Sequence, residues 1–500
     1  MQRSFFRYSL FLFPAWFFAL INGAVASDRP VVVIPGIEGS QLCSQSGAIL
    51  WGDRFSYTYA RINALRIPFG ANGRDSGIHS CGLINTVNII PLFYQSQVYS
   101  TLLSALHDIG YADKDIIIFD YDWRLSNFEN AEKLRDVLAK KVPNASDKVD
   151  VVAHSMGGVI ARIYIQTLGG ENRVQNVIMM GTPHLGSAKI FSELKNGFDS
   201  WPDDLSGGLL EIQRTILSFP STYELLPMYD QCCGFSETAD PVHTSYADIL
   251  SAATWGRFDW LPEDYKSGAG HEFLARSLDD VKKLKALFAK PILQNSGSLS
   301  KLHFVANGFM DTWSRVFFQP KTGKIIGNTT FPGDGTVLLE SATNGNPSLF
   351  QLSPLDHAHI FSGKEAALVL KTALSGTTWH AGNVGFEQQI KDVNGQDVTV
   401  VGANFEVDHH FTKKGAPLDV GLILRGDDSF KSAALPDFKV DLLRDSSVIN
   451  SASLIEGPQS KDGRSFHHEF AAPMEAGAYS MRLSVPGLPP IETIFAVISQ

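Results

Sequence analysis

Strand-like apolar runs alternate with helix-like patterns over residues 30–374, and this alternation constrains the fold of the 500-residue chain most strongly. Runs rich in β-branched residues end at short loops, and apolar residues between them recur at helical spacing. The predicted strands cover residues 31–34, 116–119, 149–153, 174–180 and 302–306. Strands that alternate with helices form a mostly parallel sheet with helices on both faces. We therefore predict an α/β fold for this region.

Two changes of pattern predict further units. The alternation is lost between about residues 188 and 300, and so long a connection within one sheet must fold as a cap over the sheet edge. After Thr378, short alternating runs separated by turn residues predict a smaller all-β, sandwich-like domain. We expect a leader at residues 1–26, an α/β domain at 27–379 with its cap at about 188–300, and a β domain at 380–500.

The N-terminal segment has the pattern of a cleaved secretory signal peptide. Arg3 and Arg7 precede an apolar stretch at residues 10–21, and Ala24-Val25-Ala26 provides a small-x-small cleavage site. A membrane anchor is the alternative, but the apolar stretch is short for a span and Pro14 interrupts it. We expect a secreted protein, either periplasmic or extracellular.

Four cysteines fit such an oxidising compartment. Three pairings are possible, and Cys43 with Cys81 is favoured because this pair would close a loop. The adjacent Cys232 and Cys233 could form a vicinal bridge or remain thiols. The net charge of −10 disfavours nucleic acid as a partner, and the chain offers no polybasic anchor for anionic lipid.

A candidate nucleophile lies in the pentapeptide Ala153-His154-Ser155-Met156-Gly157. The pattern small-x-Ser-x-Gly is weak alone, but here a β-rich run precedes it and a helical run follows it. That context is required for a sharp turn that exposes the Ser155 hydroxyl at the start of a helix. The alternative is a buried glycine-rich turn whose serine caps a helix.

A serine nucleophile requires a histidine base and a carboxylate that orients it, in the chain order serine, acid, histidine. The predicted acid is Asp334, in a glycine-flanked turn, with Asp311 as the competitor. The predicted base is His359, with His357 as the alternative, because both follow Asp356 before a predicted helix.

An oxyanion hole requires two backbone N–H groups near the nucleophile. One should come from Met156, directly after Ser155. The other should come from Ile37, in the loop Pro35-Gly36-Ile37 after the first strand. An ordinary turn is the alternative interpretation of this loop.

Several motifs together resemble the lecithin:cholesterol acyltransferase family, which includes lysosomal phospholipases of the α/β-hydrolase fold. The motifs, in chain order, are Val33-Ile34-Pro35-Gly36, Tyr121-Asp122-Trp123-Arg124-Leu125, His154-Ser155-Met156-Gly157, Gly181-Thr182-Pro183, Glu224-Leu225-Leu226-Pro227 and Gly333-Asp334-Gly335-Thr336-Val337.

The resemblance implies a triad of Ser155, Asp334 and His359, with Ile37 and Met156 as oxyanion donors. It also implies that the Cys43–Cys81 loop is a disulfide-closed membrane-binding subdomain. We therefore predict a secreted serine lipase or acyltransferase that forms an acyl-enzyme from a phospholipid or acylglycerol and transfers the acyl group to water or to an alcohol such as a sterol. A lipid aggregate or membrane surface would be its substrate, and no cofactor or metal is expected.

Two other functions remain open at this point. One is a soluble carboxylesterase or polyester depolymerase whose C-terminal domain binds the polymer. The other is a non-enzymatic binding protein on a hydrolase scaffold. The oligomeric state is not predicted.

The remaining notable side chains have structural interpretations. Asp122 and Arg124 are interpreted as an internal ion pair rather than as catalytic charges. His409-His410 and His467-His468 are interpreted as exposed strand-end histidines rather than metal ligands. Four tryptophans could be interfacial anchors or cap core, and the two roles stay open: Trp51, Trp201, Trp255 and Trp260.

Overall fold

The computed structural model describes residues 29–498 except 54–55, 57, 70–76, 85, 91–93, 98, 198–208, 240–243, 293–300, 309, 345–349, 354, 363, 375–387, 408–410, 427–429, 431, 445–446, 458–463, 476 and 485–490. The predicted leader at residues 1–26 and the predicted boundaries at residues 300 and 379 lie outside these described residues. Trp201, His409 and His410 also lie outside them.

Strands and helices alternate along much of the chain up to residue 374. The strands are β1 Val31–Ile34, β2 Ser40–Ser44, β3 Ile49–Trp51, β4 Ile78–Leu83, β5 Thr86–Ile90, β6 Tyr94–Gln97, β7 Ile116–Ile118, β8 Val149–His154, β9 Val174–Met180, β10 Cys233–Phe235, β11 Ser245–Tyr246, β12 Lys301–Ala306, β13 Met310–Phe318, β14 Ile325–Gly333 and β15 Phe350–Leu352. The helices are α1 Tyr59–Ala64, α2 Ser100–Ile109, α3 Asn127–Lys141, α4 Met156–Thr167, α5 Ile190–Asn196, α6 Leu209–Leu217, α7 Pro220–Tyr223, α8 Ala252–Trp255, α9 Gly268–Phe288, α10 Leu339–Ala342 and α11 Lys364–Leu374.

A six-stranded parallel sheet in the order β15-β12-β9-β8-β1-β7 forms the centre of this region. Strand β1 is fully buried and sends alternate side chains to opposite faces. Val32 and Ile34 join one core cluster, whereas Val31 and Val33 join another. Because core residues cover both faces of the sheet here, the sequence of this strand is a continuous apolar run. The predicted α/β fold is therefore confirmed.

The segment between β9 and β12 contains helices α5 to α9 and an aromatic core. A second sheet, in the order β11-β10-β13-β14, joins two strands of this segment to the hairpin that follows β12. This pairing was not predicted, because sequence alternation does not show which distant strands meet.

Tryptophans in the described region belong mainly to the core. Trp255 is fully buried, and Trp51 is buried with its indole N–H donating to the carbonyl of Glu38 at 3.0 Å. Trp260 is partly buried and stacks on Phe258 with a centroid distance of 5.1 Å. Trp51 and Trp255 are therefore core residues rather than exposed anchors.

The C-terminal region is built from strands in two five-stranded sheets. The strands are β16 Gln388–Lys391, β17 Asp397–Val407, β18 Phe411–Lys413, β19 Pro417–Gly426, β20 Lys439–Arg444, β21 Ser447–Ser453, β22 Ile455–Glu456, β23 Arg464–Ala471, β24 Gly477–Ser484 and β25 Ile491–Ile498. Their orders are β16-β17-β19-β23-β22 and β18-β25-β24-β20-β21. One core cluster contains Val420 and Phe466 from the first sheet with Val440 and Met481 from the second. The two sheets therefore pack face to face, as in a sandwich.

Both cysteine pairs are oxidised. Cys43 and Cys81, separated by 38 positions, form a disulfide that links β2 to β4, as predicted. Cys232 and Cys233 form a vicinal disulfide, which settles the alternative left open above. Within the described part of the chain, we find no helix that is both long enough and apolar enough to cross a bilayer.

Candidate active site

Ser155 lies in a sharp turn between β8 and α4. Its φ of 51° falls in the left-handed region, which a non-glycine residue seldom adopts. Two glycines make room for this turn. A Cβ on Gly157 would lie 2.5 Å from the carbonyl oxygens of Ile34 and Pro35, and a Cβ on Gly36 would lie 2.9 Å from that of Ser155. The strained turn and its close neighbours are those expected for a nucleophile elbow.

One imidazole connects Ser155 to a buried carboxylate. His357 Nε2 lies 2.8 Å from Ser155 Oγ, and His357 Nδ1 lies 2.7 Å from Asp334 Oδ2. Since a carboxylate accepts, Nδ1–H donates to Asp334 and leaves Nε2 to accept the serine proton. The other oxygen of Asp334 accepts the amides of Thr336 and Val337 at 2.9 and 2.6 Å, so the carboxylate is held firmly.

The prediction that His359 fills this position is wrong. His359 Nδ1 lies instead 2.7 Å from Asp356 Oδ1, and His357, the alternative, contacts Ser155. The backbone explains the difference: the N–H of His357 donates to the carbonyl of Asp334 at 2.9 Å and so brings that residue beside the acid. Asp334, rather than Asp311, holds the imidazole.

The two predicted oxyanion positions directly follow Ser155 and Gly36 in the chain, and Gly36 lies close to Ser155. Ile37 follows Gly36 in a tight turn in which the N–H of Gly39 donates to the carbonyl of Gly36 at 3.1 Å. Met156 is the first residue of α4, where helical N–H groups have no partner within the helix. The positive end of the helix dipole at this point favours a developing negative charge.

His154 takes part in a buried network that the sequence did not reveal. Its Nδ1 lies 2.8 Å from the hydroxyl of Tyr99, and its Nε2 lies 2.9 Å from the backbone oxygen of His357. Burial, and then the neighbouring His357, lower the pKa of His154 to about 3, so its ring is neutral. Because Nε2 must donate to a carbonyl, Nδ1 accepts from Tyr99. The only sequence signal was the position of His154 beside the serine.

Asp122 and Arg124 form an internal ion pair, as interpreted from the sequence. Arg124 Nη2 lies 2.7 Å from Asp122 Oδ2 and Nε lies 2.9 Å from Oδ1, with both side chains buried. Arg124 also donates to the carbonyl of Leu65 at 2.8 Å. The pair thus fixes the loop after β7.

Metal-binding groups are not concentrated anywhere in the residues that the structure describes: no group of three or more His, Cys, Asp or Glu side chains could hold an ion there. His467 and His468 lie on β23, and the half-exposed His467 is 3.9 Å from Asp419.

Residues 72–264 match the family model described as lecithin:cholesterol acyltransferase. This segment is therefore similar to that family. It contains the Tyr121-Asp122-Trp123-Arg124 block and Ser155, whereas Asp334 and His357 lie beyond its C-terminal end.

Two curated relatives from Arabidopsis thaliana carry names of the same kind of enzyme. The chain is 28% identical over 292 residues to phospholipid:diacylglycerol acyltransferase 1, covering 47% of this chain and 39% of the relative. It is also 28% identical over 261 residues to putative phospholipid:diacylglycerol acyltransferase 2, covering 42% of this chain and 38% of the relative. The matches therefore span about two fifths of each relative's length.

Solved structures similar to this chain include the Tle4–Tli4 complex, with a TM-score of 0.46, 14% identity and coverage of 70% of this chain and 99% of that one. Bacillus licheniformis lipase BlEst2 in its propeptide form has a TM-score of 0.31 and 11% identity, with coverage of 95% of this chain and 93% of that one.

Proposed function

We propose that this protein is a serine lipase or acyltransferase that acts on lipid carboxylic esters through an acyl-enzyme. The hydrogen-bonded order Ser155, His357, Asp334 carries the proposal. A serine hydroxyl is a weak nucleophile at neutral pH, and this arrangement supplies both its base and the group that orients the base.

In the first half-reaction, Ser155 Oγ attacks the acyl carbonyl while its proton passes to His357 Nε2. The carbonyl electron pair moves onto oxygen, and the amides of Ile37 and Met156 donate to this oxyanion. Asp334 stabilises the imidazolium. When the tetrahedral intermediate collapses, the bond to the leaving alcohol breaks, and that alcohol takes the proton from His357.

In the second half-reaction, water or an acceptor alcohol gives its proton to His357 and attacks the acyl-enzyme. The Ser155 ester bond then breaks, and the serine recovers the proton. Water yields a free fatty acid, whereas an alcohol yields a new ester. Phospholipid is the proposed acyl donor, because the family of residues 72–264 and the names of both curated relatives support it. Acylglycerols remain a further donor class, and a sterol is one proposed acceptor.

A fluorophosphonate probe tests the nucleophile directly. We expect labelling at Ser155 in the wild-type protein and in Ser104→Ala, a control on the exposed side of α2, but none in Ser155→Ala. The S155A substitution should lower turnover by about 10³-fold or more. Wild-type turnover of a p-nitrophenyl ester by S155A would contradict the proposal.

Mixed lipid vesicles with and without sterol test the substrate and the acceptor. Mass spectrometry should detect lysophospholipid together with either free fatty acid or a sterol ester. Turnover of short soluble esters without any attack on vesicles would contradict lipid specificity and favour the soluble carboxylesterase.

We also propose that the protein works outside the cytoplasm. The Cys43–Cys81 disulfide supports an oxidising compartment, as does the signal-like pattern at residues 1–26. N-terminal sequencing of the protein from its native host should begin near residue 27; an uncleaved Met1 would contradict the proposed cleavage.

A further inference from the structure

A single peptide group beside Ser155 is held at both edges by buried tyrosines. The hydroxyl of Tyr121 donates to the carbonyl of Pro35 at 2.8 Å, and the N–H of Gly36 donates to the hydroxyl of Tyr99 at 2.8 Å. The Pro35 carbonyl and the Gly36 N–H belong to one planar unit. Two bonds on its opposite edges therefore fix the orientation of that plane.

The two tyrosine rings are themselves immobilised. Tyr99 stacks on Phe361 with a centroid distance of 4.9 Å, and Tyr121 stacks on Phe119 with a centroid distance of 5.6 Å. Both rings are buried, and burial raises the pKa of Tyr99 and of Tyr121. Both hydroxyls therefore keep their protons and can act as donors throughout the neutral range.

The same network reaches the imidazole of the candidate triad. Because Tyr99 accepts from Gly36, its own proton goes to Nδ1 of His154, 2.8 Å away. His154 then donates from Nε2 to the backbone oxygen of His357 at 2.9 Å. Three consecutive hydrogen bonds thus join the loop before Ile37 to the residue that contacts Ser155.

We propose that Tyr99 and Tyr121 are positioning residues for the oxyanion hole. They hold the Pro35–Gly36 peptide so that the next amide, that of Ile37, faces the oxygen of the transition state. The hydrogen bond between Tyr99 and His154 keeps this loop in a fixed position relative to His357. The inference rests on the proposed function, because it assigns a role within the same ester-cleaving site.

Removing either tyrosine hydroxyl should destabilise the transition state more than the enzyme–substrate complex. Loss of a whole oxyanion donor costs about 10²–10³ in kcat, so a displaced donor should cost about 10- to 100-fold. We expect such losses in Tyr99→Phe and Tyr121→Phe with nearly unchanged KM for a short p-nitrophenyl ester. Fluorophosphonate titration of active sites corrects each rate for the folded fraction.

Tyr479→Phe is the matched control. Tyr479 is equally buried, but it lies in the C-terminal sandwich and donates to the carbonyl of Glu475 at 2.9 Å. This variant loses the same kind of bond far along the chain from Ser155, and it should keep the wild-type kcat. Thermal unfolding of all three variants measures the general cost of the lost hydroxyl.

A boronic acid provides the readout that a purely structural role would not move. It forms a tetrahedral adduct with a serine oxygen, and one of its hydroxyls occupies the oxyanion position. Its inhibition constant should rise in Y99F and Y121F by about the same factor by which kcat/KM falls, but not in Y479F.

The inference would be overturned if Y99F or Y121F folds and has a kcat and a boronic acid inhibition constant within twofold of those of Y479F. Tyr99 and Tyr121 each make their own hydrogen bond to the Pro35–Gly36 peptide, so a single variant that folds is sufficient to test the inference. Failure of the wild-type protein to cleave esters or to react with the fluorophosphonate would instead contradict the proposed function, so the two failures are distinguishable.

Discussion

His357 Nε2 lies 2.8 Å from Ser155 Oγ, although 202 positions separate the two residues in the chain. Two positions further on, His359 makes a second histidine–carboxylate pair with Asp356 at 2.7 Å. Both pairs have similar geometry, but the described contacts connect Ser155 to the first. The two histidines therefore offer a matched comparison within one loop.

Substitution of the two histidines should give opposite results. His357→Ala removes the proposed base and should lower kcat/KM for a p-nitrophenyl ester by about 10³- to 10⁴-fold. His359→Ala removes the contact with Asp356, which does not involve Ser155, and we expect less than about a tenfold loss. Steady-state kinetics on both variants checks this expectation. A larger loss in H359A than in H357A would restore His359 as the base.

Gly157 should not tolerate a methyl group. Alanine is usually more stable than glycine within a helix, but a Cβ at position 157 would lie 2.5 Å from two carbonyl oxygens of the β1 loop. We expect Gly157→Ala to lower the free energy of unfolding by about 1–3 kcal/mol.

Gly256→Ala is the control for that substitution, because a Cβ there would be 3.5 Å from the nearest atom, an ordinary contact. Its unfolding free energy should change by less than about 0.5 kcal/mol. Urea denaturation of both variants measures the difference, and an unchanged stability of G157A would show that the β1 loop moves aside freely.

The contribution of Glu224 to stability should fall as the pH rises. Burial raises the pKa of Glu224 from 4.5 to about 8, although its carboxylate accepts from Ser126 and Asn127 at 2.5 and 2.6 Å. Between these two pH values Glu224 retains a proton in the folded protein that it has released in the unfolded chain, so its contribution to the free energy of unfolding decreases with increasing pH. The Glu224→Gln variant should lose this part of the slope.

Thermal unfolding between pH 5 and pH 8 tests the role of Glu224. The exposed Glu132 on α3 is the matched control, and Glu132→Gln should retain the slope of the wild-type protein. The same slope in E224Q and in the wild type would mean that Glu224 is already ionised in the folded protein.

The Asp122–Arg124 pair should be costly to break. Both charges are buried, so Arg124→Met leaves the Asp122 carboxylate without its cation and should cost about 3–5 kcal/mol in unfolding free energy. Arg135→Met removes an exposed pair with Asp136 and should cost less than about 1 kcal/mol. Denaturant titration compares the two, and equal losses would contradict the importance of burial.

Local sequence patterns were sufficient to predict those structural features that depend on residues close together in the chain. The continuous apolar run of β1, the strand–serine–helix context of Ser155 and the paired charges of Asp122 and Arg124 all predicted what the structure contains. Gly110, which follows α2 with a φ of 111°, is a further local feature, since glycine commonly ends a helix in this conformation.

Local patterns failed where two similar candidates compete. His357 and His359 share the same neighbourhood, and only the approach of Asp334 and Ser155 separates their roles. No local pattern singled out Tyr99, whose hydroxyl contacts groups that lie 55 and 63 positions away. The pairing of β10 with β13 was missed for the same reason.

The sequence by itself determined the parallel α/β region and the strand–turn–helix context of Ser155, and it favoured Asp334 over Asp311 as the acid, because periodicity and turn composition act over a few residues. Only the tertiary structure decided which histidine meets the serine, which tryptophans are buried and how Tyr99 and Tyr121 hold one peptide. These outcomes depend on contacts between residues far apart in the chain, and the spacing of residues along a sequence does not encode which of several distant side chains will meet.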